Sequence, residues 1–242
     1  MGARYLRSAA RVSAVLLCAS LGSAAMAEPF IAPGDPWLRD DIQRLADAGI
    51  ITSPITSWPL SVGDIAEDLN SYDDGAATDP VTRAVVERLQ SYLSSEMGTG
   101  QLNWDVANRL SERPQRVRPF RSVGRGRIDL SVAASYTGQR FAGRLQANLQ
   151  RDDPTDEDEF RIDGSYVSVA LGNWLLSASA QDRVWGPGRG GALLLSNSAR
   201  PVPAITLQRN FSTPFESRWL RWIGPWSTSM VWGQLESNRS VP

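Results

Sequence analysis

Apolar positions along this chain repeat with one period up to about Gly98 and with another beyond it. In the first stretch the spacing is helical. Trp37, Leu38, Ile42, Leu45 and Ala46 recur at three- and four-residue steps. Asp35 and Pro36, favoured N-cap and first-turn residues, precede them, and Gly49 ends the run. Ser61 and Asp64 have the look of a capping box that opens a second helix through Ile65 and Leu69. Asp79-Pro80 opens a third, with Val81, Ala84, Val85, Leu89, Tyr92 and Leu93 on its apolar side. Three such helices predict one small shared core, with the Trp37 stripe inside it.

From Gly126 to Gly186 the alternation is that of strands. Ile128, Leu130, Val132, Ala134 and Tyr136 share one face, and Arg127, Asp129, Ser131 and Ser135 the other. After a turn at Thr137-Gly138, Phe141, Gly143, Leu145, Ala147 and Leu149 oppose Arg140, Arg144, Gln146, Asn148 and Gln150. Arg161–Leu171, a turn at Gly172-Asn173 and Trp174–Val184 continue the pattern, and further strands are expected at Ala204–Asn210 and Trp226–Leu235. A soluble sandwich and an outer-membrane barrel both produce this alternation. The segments are of the length that crosses a bilayer at a tilt, about 10 residues. Arginines crowd their polar faces, Tyr136, Trp174, Trp226 and Trp232 lie near segment ends, and short turns alternate with long connections at 152–159 and 185–203. These features favour the barrel. With short turns on the periplasmic side, a periplasmic helical part requires one further crossing strand before Gly126. Gln115–Val123 is the candidate, although it alternates poorly and contains Pro119.

The N-terminus adds a destination. Arg4, Arg7 and Arg11, an apolar run from Val12 to Leu21 and the small residues of Ala25-Met26-Ala27 predict a secretory signal peptide cleaved after Ala27. The apolar run is half the length a membrane-spanning helix needs, about 20 residues. Leu17, before Cys18, is too bulky for a lipoprotein signal.

Composition then excludes chemistry. The chain has no His, and its one Cys lies in the leader. It has no Lys either, so its cations are all arginines. Ser–His and Cys–His nucleophiles, His/Cys zinc sites, Lys Schiff bases and disulfides are thereby absent. The charge is uneven: residues 28–100 hold 13 acids and 4 arginines, while residues 101–242 hold 13 acids, 18 arginines and seven of the nine tryptophans. Two regions are expected, a helical one at 28–100 and a strand region at 101–242.

Several motifs in one order resemble the capsule assembly Wzi family. They are the run from Pro36 through Leu60, Asp182-Arg183-Val184-Trp185-Gly186-Pro187-Gly188, Leu195 through Pro201, Arg209-Asn210-Phe211-Ser212, Phe215-Glu216 and Ile223-Gly224-Pro225-Trp226. The resemblance runs from about Pro36 to Trp232. It implies a mainly β protein, an outer-membrane antiparallel β-barrel preceded by a small periplasmic α-helical bundle. It also implies a lectin-like role, holding capsular or other exported polysaccharide at the cell surface. Members are roughly twice this length, so the barrel is expected to be incomplete and the chain to be an N-terminal portion.

The loop from Asp182 to Arg209 holds the expected site. Saccharide recognition uses an aromatic face for the C–H surface of a sugar and planar charged donors for uronate carboxylates. Trp185, Arg183, Arg189 and Arg209 supply these groups, with Asp182 to orient the arginines. The competing reading is a structural plug, with Trp and Pro filling the barrel and Asp182 paired to Arg183. Gly186, Gly188 and Gly191 mimic a dinucleotide fingerprint, but no βαβ unit surrounds them. Six acids between Asp152 and Glu159 could attract calcium, although a solvated loop accounts for them more simply. The expectation is therefore a non-enzymatic protein with no cofactor, no metal and no nucleic-acid partner, in contact with outer-membrane lipid. A tether that binds cell-wall polymer through an S-layer-homology-like helical module is the alternative. A carboxylate-dependent glycosidase, which needs two acids facing one cleft, stands third.

Overall fold

The computed structural model describes residues 29–72, 79–96, 98–114, 118, 120–121, 123–152, 159–188, 192 and 194–234. The leader and most of the acidic run after Asp152 lie outside the described residues. Three helices come first: α1 (Pro36–Asp47), α2 (Val62–Ser71) and α3 (Pro80–Glu96). They are accompanied by three two-residue strands, β1 (Phe30–Ile31), β2 (Ser57–Trp58) and β3 (Leu60–Ser61), of which β1 pairs with β3. The main sheet follows. It comprises β4 (Leu102–Leu110), β5 (Ile128–Thr137), β6 (Phe141–Arg151), β7 (Phe160–Arg161), β8 (Tyr166–Leu171), β9 (Trp174–Ser179), β11 (Ala204–Arg209) and β12 (Ser229–Gly233). Short β10 (Val184–Trp185) leaves that sheet and pairs with β2.

The helix starts follow from their first residues. Asp35 accepts hydrogen bonds from the amides of Trp37 and Leu38 at 2.8 and 3.2 Å, with Pro36 in the first turn, and Gly49 leaves α1 at a φ of 73°. Asp79 caps α3 in the same way through the amides of Val81 and Thr82. The Thr82 hydroxyl also donates to Asp79, which lets Thr82 rather than Val81 enter the core beside Val85, Val86, Leu89 and Leu93. Trp37 is a correction to the expected stripe: it is 81% exposed. It stands five residues from buried Ile42, which on a helix is about 140° round the axis, whereas Leu38 faces the core with Ile42 and Leu45.

Ser61 and Asp64 correct a second expectation. Ser61 sits at the N-cap of α2 but makes no side-chain cap bond. Its hydroxyl donates instead to the backbone and side-chain oxygens of Asn210, at 2.7 and 2.9 Å. Asp64 accepts from the Ser212 amide and, at 2.7 Å, from the Ser212 hydroxyl. Both residues therefore latch α2 onto the segment that leaves β11. Between them Gly63 allows a close approach, since a Cβ there would meet Asn210 and the Phe211 ring at 2.9 Å.

The main sheet is antiparallel throughout, in the order β12-β11-β9-β8-β6-β5-β4, with β7 on β6. The further strand before Gly126 is β4, not Gln115–Val123. Leu102, Trp104, Val106 and Leu110 alternate along β4, whereas Arg118 and Phe120 of the other segment are buried among loops. The first hairpin closes on Gly138 and Phe141, which puts Gln139 and Arg140 at its tip, and the second turns at Gly172-Asn173 as expected. Edge strands β4 and β12 do not pair with each other, so the described sheet is open.

The faces of this sheet are inverted relative to a soluble protein. One row of paired residues, Leu102, Tyr136, Gly143, Val167, Ala178, Ile205 and Trp232, crosses seven strands on the apolar face. Its large members are all exposed, as are Leu130, Val132, Leu145 and Leu149. The buried face carries Asp129, Ser131, Ser135, Asn148, Gln150, Ser168, Ser177, Thr206 and Gln208. A sheet that is apolar outside and polar inside is the wall of a membrane barrel.

Helices and loops fill the polar side. The larger apolar core joins Ile42, Leu45, Trp58, Ile65, Leu69 and Leu89 to Phe120 and Val184, two residues from the strand-bearing half. Trp58 is fully buried, edge-on to Phe120 with ring centroids 4.9 Å apart. Trp58→Ala is therefore expected to destabilise the helical filling by about 3–5 kcal/mol, and Trp37→Ala to change it by no more than about 0.5 kcal/mol. Denaturant unfolding of the detergent-solubilised protein checks both.

Candidate functional site

The polar face of the sheet and its filling enclose a cavity of about 350 Å³. Strands supply its floor: Asp105 and Arg109 from β4, Asp129 and Ser131 from β5, and Arg144, Gln146, Asn148 and Gln150 from β6. The helical part contributes Phe30, Tyr92 and Glu96, while Arg118, Arg121, Arg125, Asp163, Asp182 and Asn197 come from connections. The lining is thus rich in guanidinium, carboxylate and amide groups, with Tyr92 and Tyr166 among them.

Many of these charges are already partnered. Arg144 pairs with Asp105 at 3.0 Å, reaching from β6 across β5 to β4. Arg125 reaches Asp182 at 3.3 Å and also donates to the carbonyl of Ala199, at 3.1 Å. Arg200 grips Asp163 through Nε and Nη2 at 3.2 and 3.1 Å, both side chains largely buried. Asn197 donates to the Phe120 carbonyl at 3.0 Å, tying the 195–200 loop to the 118–125 segment. The side chains of Arg109 and Arg121 are different, with no hydrogen-bond or ion-pair partner among the described residues. Neither was singled out from the sequence. Arg109 was legible there as the polar alternate of a strand, once 102–110 is taken as one.

The sequence-selected residues do not form one cluster. Asp182 faces the cavity. Arg183 is buried beneath it and donates to the carbonyls of Gln181 and Val202 and to the hydroxyls of Ser179 and Thr206, at 2.9–3.3 Å. Burial lowers its pKa, but the group is framed by acceptors on every side. Trp185 is half-buried, its amide bonded to the Leu195 carbonyl, and it lines a separate recess too small for a sugar, about 10 Å³. Arg209 lies over the Trp226 ring at 3.9 Å and donates to the carbonyls of Thr213 and Trp226. Arg189 and Gly191 lie outside the described residues. Asp182, expected to orient the arginines and paired to Arg183 in the plug reading, forms its ion pair with Arg125. Trp226, expected in an aromatic girdle, stacks instead on Phe215, with ring centroids 4.6 Å apart. Among the described residues no group of acids is arranged to hold a metal ion.

A family model described as capsule assembly protein Wzi matches residues 112–242. The chain belongs to that family. Its sequence is 28% identical over 236 residues to a Klebsiella pneumoniae protein described as an uncharacterized 55.8 kDa protein in the cps region, covering 96% of this chain and 45% of that one. Its fold matches Wzi of Escherichia coli with a TM-score of 0.71 and 26% identity, over 85% of this chain and 46% of that one. That protein is described as an outer membrane protein involved in group 1 capsule assembly and as a carbohydrate-binding β-barrel. The chain spans about half the length of these relatives.

The latch between α2 and the segment after β11 holds the helical filling of this family member in place, and its acid is perturbed. Burial raises the Asp64 carboxyl above its ordinary value of 3.8, against the lowering effect of the Ser212 hydrogen bonds. A raised folded-state pKa means that the folded protein binds the proton more tightly. The stabilisation is then full below the ordinary value and is lost as pH rises through the folded one. Asp64→Asn, which keeps an acceptor for the Ser212 amide, is expected to cost less than Asp64→Ala, which strands buried donors at about 1–3 kcal/mol. Thermal unfolding should show the native protein gaining on Asp64→Asn as pH falls from about 7 to about 4.

Proposed function

We propose that this chain is the N-terminal portion of an outer-membrane β-barrel that holds capsular or other exported polysaccharide at the cell surface. The single observation that carries the reading is the inverted sheet, whose apolar face is exposed and whose polar face encloses a cavity lined by arginines and acids. Lipid would cover the first face and a hydrated glycan would occupy the second. The relatives support the ligand class, one being described as carbohydrate-binding and the other as coming from a cps region.

Orientation follows from the sheet ends. The 138–141 and 172–173 turns and the start of β4, which follows the helices, all lie at one end. With short turns facing the periplasm, the helical part at 28–100 is periplasmic and the strand part at 101–242 forms the wall. The leader before Glu28 directs export. The task is binding, not bond cleavage. Asp105, Asp163 and Asp182 are held in ion pairs with arginines.

Within the cavity Arg109 and Arg121 supply uncommitted donors for sugar carboxylates, and Asp182 with the amides of Gln146 and Asn148 meets hydroxyls. Arg183 positions the loop that carries Asp182, Trp185 fixes that loop against β2, and Arg209 braces the 210–228 connection through Thr213 and Trp226. Arg189 is retained as a glycan contact on its place in the sequence.

Arg109→Ala and Arg121→Ala should each lower retained acidic polysaccharide per folded barrel about tenfold, the effect of losing one charge-assisted hydrogen bond. Added salt should mimic them, because accessible charge pairs are screened over about 8–10 Å. Arg183→Ala and Arg209→Ala should lower the yield of heat-resistant folded barrel instead. Polysaccharide retention unchanged in both cavity variants ends the assignment.

A further inference from the structure

The connection from β11 to β12 carries an exposed apolar segment that the cavity does not use. Trp219 and Trp222 are 86% and 82% exposed, and Leu220 and Ile223 between and beside them are exposed as well. Arg218 and Arg221 alternate with them and are also exposed. The backbone is locally ordered: a single 3₁₀ turn spans Arg221–Ile223, and the amides of Leu220 and Arg221 bond the Ser217 carbonyl. Two fully displayed indoles would be a liability on a surface that meets only water.

Their place in the fold says what covers them. Arg209 at the end of β11 pairs with Trp174, directly after the Gly172-Asn173 turn, so the 210–228 connection leaves the sheet at the end that carries the short turns. At that same end the outward face presents Phe141, Tyr136 and Leu171, all exposed. The segment therefore belongs to the same end of the sheet as this apolar margin.

From this we infer that Ser217–Ile223 is an interfacial foot of the barrel, with Trp219 and Trp222 at the carbonyl depth of the adjoining phospholipid leaflet and Arg218 and Arg221 on its phosphates. The inference rests on the barrel reading above. Indole is suited to this layer because one end is apolar and the N–H remains wet. The long arginine stems reach from the same depth to the headgroups. A protein cover fits less well, because packing over Trp219 and Trp222 would desolvate the intervening guanidinium of Arg221. The foot ties the β11–β12 connection to the membrane at the end where α2 is latched to Asn210 and Ser212.

The test is tryptophan quenching in vesicles of phosphatidylcholine brominated at a shallow or a deep acyl position, with the native protein and the Trp219→Phe/Trp222→Phe variant. Both residues are exposed, so the variant is expected to fold. Trp104 and Trp232, exposed on the strands, report the wall. The double variant should lose about half of the emission quenched by the shallow label and little of that quenched by the deep one. Arg218→Glu/Arg221→Glu should give the same selective loss, by lifting the indoles out of the layer. Identical quenching of native and variant proteins, with the wall still quenched, overturns the foot alone. A variant that converts a dimer to a monomer in sedimentation with unchanged quenching overturns it too, in favour of a second copy. Absence of quenching in every protein removes the barrel reading and the foot together.

Discussion

Everything else in this molecule answers to a sheet that is apolar where it is exposed and polar where it is enclosed. Serines, threonines, amides and Asp129 face inward from the strands, and each such group must find a hydrogen-bond partner once covered. An apolar filling would leave them stranded. The chain supplies a polar filling, in which arginines from the connections reach carbonyls, hydroxyls and carboxylates. Arg183 meets four acceptors, and Arg200 closes on Asp163. The absence of lysine suits this task, because a planar guanidinium offers several fixed donors to acceptors spread around it.

The same constraint explains how the helical part is attached. Its apolar core is completed by Phe120 and Val184, and its α2 surface is latched by Ser61 and Asp64. Arg39 of α1 donates to the carbonyls of Pro187 and Gly188 at 3.0 and 3.1 Å and lies over the Phe120 ring. The motifs that mark the family are largely these contacts. Asp182 and Asn197 line the cavity, Arg183 and Asn197 tie their loops to neighbouring segments, and Asn210 and Ser212 carry the latch. Among the described residues of these motifs Arg183 and Arg209 are committed to carbonyls and hydroxyls, whereas the side chains of Arg109 and Arg121, outside the motifs, are uncommitted.

The period of the apolar residues, a local property, determined much of what was read without coordinates. It separated helices from strands and placed the caps at Asp35 and Asp79. It also located the second turn at 172–173, put the first at Thr137-Gly138, two residues before its tip at Gln139-Arg140, and indicated which strand face is apolar. Inversion of the faces was legible too, in the length of the segments and the arginines on their polar sides. Tertiary structure alone decided the rest, because partners distant in sequence compete for the same side chain. Ser61 and Asp64 had the spacing of a local cap, yet they bond Asn210 and Ser212, some 150 residues away. Asp182 neighbours Arg183 in the chain, yet it pairs with Arg125. Gln115–Val123 was the candidate for a crossing strand, but within it the buried Arg118 is held by the Asn197 carbonyl and Phe120 by Trp58. Which arginines remain available for a ligand depends on the sum of such competitions, and spacing along a chain carries no record of it.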